Sequence, residues 1–504
     1  MPDQPASPPS VFRSPAVRFG GALAAGLVLT LTVAAGRAPR SGGGLALSPC
    51  HLDGLAEPAL CGTLSVPENR DAPGSRKVPI RFAVLPALRA ERAPDPLLFF
   101  AGGPGQAGRD LAGPAAHFFS EVRRHRDLVF VDLRGTGGSN RLDCPLLPDP
   151  LAGLGGDTFF PADVPACRAR LGSRFDLGRY AEAEAMADLD QVRSALGVER
   201  WNLWGGSWGT RAALLYARAY PSRVRSVVLD GAASLEFRFP LTTPADAQDA
   251  LDRLLADCAA EPACRAAHPD LGAHLQALFA RLAAGPVRAP IRDPISGAPR
   301  MVAIWANGFA VALRVALYTG ESAAMLPQVI EAAAQGDWGP FAALAAANAG
   351  WSSDTMALGA TLSTLCAEDV RTISDAEAAR AAGEGFVGGG EIASWRRACA
   401  EWPPGPPLDR SIRPLSIPAL ILSGALDPAT PPRRGEAMRV AFPNSRHTVF
   451  PGAAHNVSFS GCAPELIARF LAWPEPARLD DRCARDFSRS PFYSIPGSSR
   501  EVGR

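Results

Sequence analysis

The chain has 504 residues, 47% hydrophobic and 20% charged, with 51 basic and 50 acidic side chains for a formal net charge of +1. That is apolar enough to exclude a largely disordered chain, and the charge balance lacks the basic stripe of a nucleic-acid binder. Lys77 is the only lysine, so a Ser–Lys dyad, a Schiff-base lysine or a phosphate-loop lysine would have to use that one residue.

Residues 1–18 are Pro/Ser-rich and include Arg13 and Arg18; residues 19–36 carry no charge and end near the small residues Val33-Ala34-Ala35. A basic flank, a short apolar run and small residues predict a signal peptide, with a retained membrane anchor as the rival reading. Both readings export the remainder, to the periplasm or beyond, in line with the positive-inside rule. Ten cysteines suit an oxidising compartment, and no C-x-x-C or H-E-x-x-H spacing points to a metal. The sequence alone does not choose among the many pairings that ten cysteines allow; because short loops close most readily, sequential neighbours are the first guess: Cys50–Cys61, Cys144–Cys167, Cys258–Cys264, Cys366–Cys399 and Cys462–Cys483. No cofactor is expected.

After a Gly/Ser/Pro linker over residues 37–49, apolar runs bounded by turn residues predict eight strands: 61–67, 78–86, 96–103, 127–135, 201–207, 226–231, 418–424 and 447–452. The later runs are continuously hydrophobic, as in parallel strands buried on both faces. Residues 182–197 place Met186, Leu189, Val192 and Leu196 at helical spacing, and residues 207–219 also read as helix. Strand–helix alternation predicts an α/β fold with a mostly parallel eight-stranded sheet. Residues 232–405 break the alternation: Ala/Leu-rich and without a confident strand, they read as a helical cap between the sixth and seventh strands. The core is then residues 50–231 and 406–485, and residues 486–504 form a loosely ordered tail.

The chemistry centres on Gly205-Gly206-Ser207-Trp208-Gly209, a G-x-S-x-G sequence with a predicted strand before it and a helix after it. That context makes a nucleophile elbow, with Ser207 exposed on a strained turn. A serine nucleophile needs a base, and the base needs an orienting acid. Asp427 follows the seventh strand and His455 the eighth, both just beyond strand C-terminal ends, where ligands bind in open α/β sheets. The assignment is Ser207 nucleophile, His455 base then acid, and Asp427 orienting the imidazolium. Asp230, after the sixth strand, is the competing acid. His447 starts a strand and suits the role less. For the oxyanion hole, Trp208 offers one backbone N–H and the loop Ala101-Gly102-Gly103-Pro104-Gly105 the other, with Gly103 first and Gly102 second. The same loop reads as Gly103-x-Gly105-x-x-Gly108, a dinucleotide fingerprint with Asp132 as a ribose acid, but that reading leaves Ser207, Asp427 and His455 unexplained.

Taken together, Ala101-Gly102-Gly103-Pro104-Gly105, the segment Asp132-Leu133-Arg134-Gly135-Thr136-Gly137-Gly138-Ser139, Gly205-Gly206-Ser207-Trp208-Gly209-Thr210, Leu426-Asp427-Pro428-Ala429-Thr430-Pro431 and Gly452-Ala453-Ala454-His455 carry a family resemblance. Over residues 48–485 the chain resembles α/β-hydrolase serine peptidases of the proline iminopeptidase and tripeptidyl aminopeptidase type. Proline iminopeptidases usually have histidine where this chain has Ala101, which favours the tripeptidyl-like branch. The resemblance implies an α/β-hydrolase fold with a cap, oligopeptide substrates with a free N-terminus, and an acidic cap residue that binds the substrate amine, here Glu368 in Cys366-Ala367-Glu368-Asp369. It also implies that Asp132–Ser139 is a structural loop beside the site. The leading expectation is an exported serine aminopeptidase, and the alternative on the same scaffold is an esterase or other small-acyl hydrolase.

Overall fold

Among the described residues, eleven strands form two sheets. The computed structural model describes residues 45–144, 149, 151–156 and 163–493, so the reading of residues 1–36 lies outside the described residues. In chain order the strands are β1 (Ser48–Cys50), β2 (Ala59–Pro67), β3 (Lys77–Leu85), β4 (Leu97–Phe100), β5 (Leu128–Val131), β6 (Trp201–Gly206), β7 (Val224–Asp230), β8 (Val287–Arg292), β9 (Pro299–Ile304), β10 (Ala419–Gly424) and β11 (Ser445–Phe450). The main sheet has nine strands in the order β1-β2-β3-β5-β4-β6-β7-β10-β11. Pairing is antiparallel from β1 to β5 and parallel from β5 to β11.

All eight predicted strands are present, and the ninth, β1, corrects the expected count. Its three residues have no apolar run; they pair with β2 beside the Cys50–Cys61 bridge. Strands β4, β5, β6 and β10 are buried at every residue, and β4 and β5 accordingly read as unbroken hydrophobic runs. Helices cover both faces. The helix Glu182–Ala195 buries Met186, Leu189 and Val192 on one face with the helix Trp208–Ala219. On the other face Phe99, Phe119, Phe130, Trp204 and Phe459 form an aromatic cluster, with Phe99 and Phe130 centroids 4.9 Å apart.

Between β7 and β10 the chain builds the cap, a mainly helical body with its own core around Leu254, Phe309, Leu313, Trp338 and Phe341. The expectation of a strandless cap needs correction: β8 and β9 form an antiparallel hairpin within it. In β8 burial alternates strictly residue by residue, but arginines and Pro290 on the outer face dilute the pattern in sequence. The expected loose tail is also corrected for residues 486–493. The Phe487 carbonyl accepts the Gly452 N–H, Arg489 pairs with Asp257, Phe492 is buried in the cap core, and the Tyr493 N–H donates to Ala324. Residues 494–504 lie outside the described residues.

All five disulfides join the expected neighbours. Cap and core are joined by charge pairs, among them Arg211 to Asp369 at 3.0 Å and Arg434 to Asp246 at 3.0 Å. No helix among the described residues is long and apolar enough to cross a membrane.

Candidate active site

β6 runs into the helix Trp208–Ala219 through one residue, Ser207, held at φ 53° and ψ −122°. A β-carbon at positive φ is strained, and here the turn is locked on every side. The Ser207 N–H donates to the Asp230 carbonyl at 2.7 Å, and the Ser207 carbonyl accepts from both the N–H and the hydroxyl of Thr210. Gly209 is required: a β-carbon there would lie 2.2 Å from the Phe100 carbonyl oxygen. The consequence is a half-buried hydroxyl at the C-terminal edge of the central strand.

β10 ends in a tight turn that points Asp427 inward. Its Oδ1 accepts the N–H groups of Ala429 (2.8 Å) and Thr430 (2.9 Å), and its Oδ2 accepts the Thr430 hydroxyl (2.8 Å) and His455 Nδ1 (2.8 Å). Burial opposes the carboxylate charge, but His455 and these hydrogen bonds outweigh it and hold the Asp427 pKa below its ordinary value. His455 sits in the loop after β11. Burial disfavours the imidazolium, yet Asp427 with its hydrogen bond, helped by Asp230, outweighs that and the opposing charge of Arg314, so the ring's pKa lies above the usual histidine value. The bond to Asp427 assigns a proton to Nδ1 and leaves Nε2 free to accept one. Among the described residues the Ser207 hydroxyl has no hydrogen-bond partner; such bonds commonly tighten only when substrate is bound. Gly231, which follows Asp230, packs against the base: an added β-carbon there would lie 3.3 Å from His455 Cε1.

Trp208 opens the helix, so its backbone N–H has no intrahelical acceptor. The loop after β4 lies over the elbow, where a β-carbon on Gly102 would be 3.2 Å from Ser207 Cβ. Gly103 follows at φ 68°, and the cap clasps this loop through the Ala357 N–H to the Gly105 carbonyl and the Thr361 hydroxyl to the Pro104 carbonyl. Beneath the loop is a cavity of about 20 Å³, bordered by Gly103, Gln106, Glu182 and Trp208, large enough for one water.

The remaining candidates fall elsewhere. Asp230 turns both carboxylate oxygens to backbone N–H groups and not to the His455 ring. His447, on β11, bonds Ser423 and Glu436. Asp132 is engaged by Arg109 and the Gly138 N–H, which orders the loop that follows β5. Glu368 is only 2% exposed: its Oε1 accepts the Glu182 N–H and its Oε2 lies 3.9 Å from Arg211. Burial pushes its carboxyl up to about 7, against the charge of Arg211. Glu368 therefore lies in the interior, and its Oε2 has no hydrogen-bond partner among the described residues. Three neighbours escape sequence reasoning. Thr430 spans the acid and the base, Tyr318 covers the base from the cap, and Glu182 accepts the Trp208 indole N–H. Only the Asp-x-x-Thr spacing of residues 427–430 hinted at any of them. No cluster of three or more His, Cys, Asp or Glu among the described residues is placed to hold a metal ion.

A family model described as alpha/beta hydrolase fold matches residues 95–461, spanning the elbow, the cap, Asp427 and His455. The chain belongs to the α/β-hydrolase family. This hydrolase is 30% identical over 276 residues to the serine protease Hip1 of Mycobacterium tuberculosis, across 48% of this chain and 51% of that protein. It is 32% identical over 136 residues to the proline iminopeptidase of Neisseria gonorrhoeae, across 27% and 32% respectively. It therefore spans about half the length, or less, of these curated relatives. Among solved structures, the proline iminopeptidase of Mycobacterium smegmatis aligns over 82% of this chain and 99% of that one, at 17% identity and a TM-score of 0.36.

Proposed function

We propose that this hydrolase is an exported serine aminopeptidase that releases amino acids or short, tripeptide-like N-terminal segments from oligopeptides through an acyl-enzyme. The observation that carries the reading is the buried Asp427–His455 hydrogen bond, with Ser207 held on a strained elbow after β6. Ser207 Oγ attacks the scissile carbonyl while His455 Nε2 takes its proton. The oxyanion is held by the N–H groups of Trp208 and Gly103. The imidazolium, steadied by Asp427, protonates the leaving amine, and water then cleaves the ester by the same relay. Relatives named as a serine protease and a proline iminopeptidase support the peptidase reading. Five disulfides with no free cysteine among the described residues support an oxidising compartment.

The test uses the oxidised protein beside Ser207→Ala on chromogenic aminoacyl, prolyl, dipeptidyl and tripeptidyl amides, with free and acetylated amines, and on a p-nitrophenyl ester. Cleavage of free-amine peptides alone, lost in Ser207→Ala, supports the proposal and gives the number of residues released. Ester cleavage alone, or indifference to acetylation, leaves a general acyl hydrolase. Full activity in Ser207→Ala removes the nucleophile assignment. Mass spectrometry of the protein from its source tests export by the N-terminus it carries.

A further inference from the structure

Asp230 ends β7, is completely buried, and takes no direct part in the relay described above. Three hydrogen bonds converge on it from the two halves of the site. Its backbone carbonyl accepts the Ser207 N–H at 2.7 Å. Its Oδ1 accepts the Val457 N–H at 2.9 Å, and its Oδ2 accepts the Ser458 N–H at 2.7 Å. Val457 and Ser458 lie two and three residues beyond His455; between His455 and Val457 stands Asn456 at φ 62°, a left-handed turn that aims the next two N–H groups at one acceptor. We propose that Asp230 is a positioning residue for the proton relay: its main chain fixes the nucleophile elbow and its carboxylate fixes the loop that presents His455.

A carboxylate is the side chain suited to this task. It accepts two parallel N–H groups without a donor of its own, whereas an amide would turn its NH₂ toward one of them. Burial pushes the Asp230 carboxyl up, opposed by the Ser458 and Val457 hydrogen bonds and by His455. The charged and titratable groups facing His455 are Asp427 from the turn after β10, Asp230 from β7, and Arg314 with Tyr318 from the cap. Asp230 therefore also adds negative charge on the core side of the ring, opposite in sign to Arg314.

The inference rests on the serine-hydrolase reading, so Asp230→Asn is assayed beside wild type and Ser207→Ala on one amide substrate. The expected result is a kcat lowered roughly 10- to 100-fold, as for loss of a charge-assisted hydrogen bond, with KM within about twofold. The acid limb of kcat/KM moves to lower pH, because a negative charge near the imidazolium is gone. A lowered melting temperature with kcat intact, or an unmoved acid limb, overturns the proposal. If Asp230→Asn does not fold, Asp230→Ser, whose hydroxyl still accepts one N–H, is read the same way. Loss of folding in both assigns Asp230 to stability and also overturns it. An active Ser207→Ala is the separate signature that the hydrolase reading itself has failed, and the inference falls with it.

Discussion

The His455 N–H donates to the Tyr318 carbonyl at 3.1 Å, so the candidate base is tied through its own main chain to the cap. The Tyr318 ring stands edge-on to the imidazole, with centroids 4.9 Å apart, and its hydroxyl accepts from Arg314 at 2.9 Å. Tyr318→Ala removes the ring but not the carbonyl. An aromatic pair contributes about 0.5–1.5 kcal/mol, so kcat/KM should fall by up to about 10-fold. Tyr318→Phe should stay close to wild type. Steady-state kinetics of the two variants check this.

Thr430 bridges acid and base, its hydroxyl 2.8 Å from Asp427 Oδ2 and 3.2 Å from His455 Nδ1. The threonine hydroxyl donates to the carboxylate. Thr430→Val keeps the shape and loses that bond, which at about 1.5–3 kcal/mol predicts a loss of roughly 10- to 100-fold in kcat/KM. Thr430→Ser should recover most of it. Melting temperature should change little in the serine variant.

Activity needs neutral His455, whose pKa is raised, so kcat/KM should climb with pH through a value above the ordinary 6.5. Asp427→Asn removes the strongest influence holding it up. The acid limb should then move to lower pH, and the rate at its plateau should fall roughly 10⁴-fold. The stability effect has a definite sign as well. Proton uptake by His455 favours the fold fully below the unfolded value and is lost as pH rises through the folded one. A pH–rate profile and melts over the same range separate the two.

The buried carboxyl of Glu368, pushed up to about 7 from 4.5, gives the opposite stability trend to an ordinary ion pair. Between those values the folded chain holds a proton that the unfolded chain has released, so stability falls as pH rises across that window. Glu368→Gln stays neutral and should flatten the fall by roughly 1–3 kcal/mol. Denaturant titrations of both proteins at pH 5 and pH 7.5 measure it. A steeper fall in the variant would show that Arg211 needs the charge.

The parts legible in the sequence are those encoded locally. Strands buried on both faces announce themselves as β4 and β5 do, by unbroken apolar runs. The elbow is legible because Gly205 and Gly209 must lack side chains where helix and strand touch. Disulfide pairing is not fixed by the sequence, but the guess of consecutive partners matches every bridge. What stays hidden depends on distant partners. Glu368 looks like any surface carboxylate until the fold brings Glu182 and Arg211 to it. Asp230 reads as a strand-end acid, and only the closed loop at Asn456 shows which groups it serves. The β8–β9 hairpin hides because its outer face carries arginine and proline.

The sequential bridging has a consequence for how the chain reaches this state. Each cysteine pairs with the next one along, over separations of 6 to 33 residues. In a polypeptide delivered N-terminus first into an oxidising space, every cysteine's partner is the next to arrive, and each pair can close before the following one emerges. Misconnected isomers then have little opportunity to form. None of the five loops links cap to core, so the finished molecule keeps two stapled bodies joined only by main chain and reversible contacts.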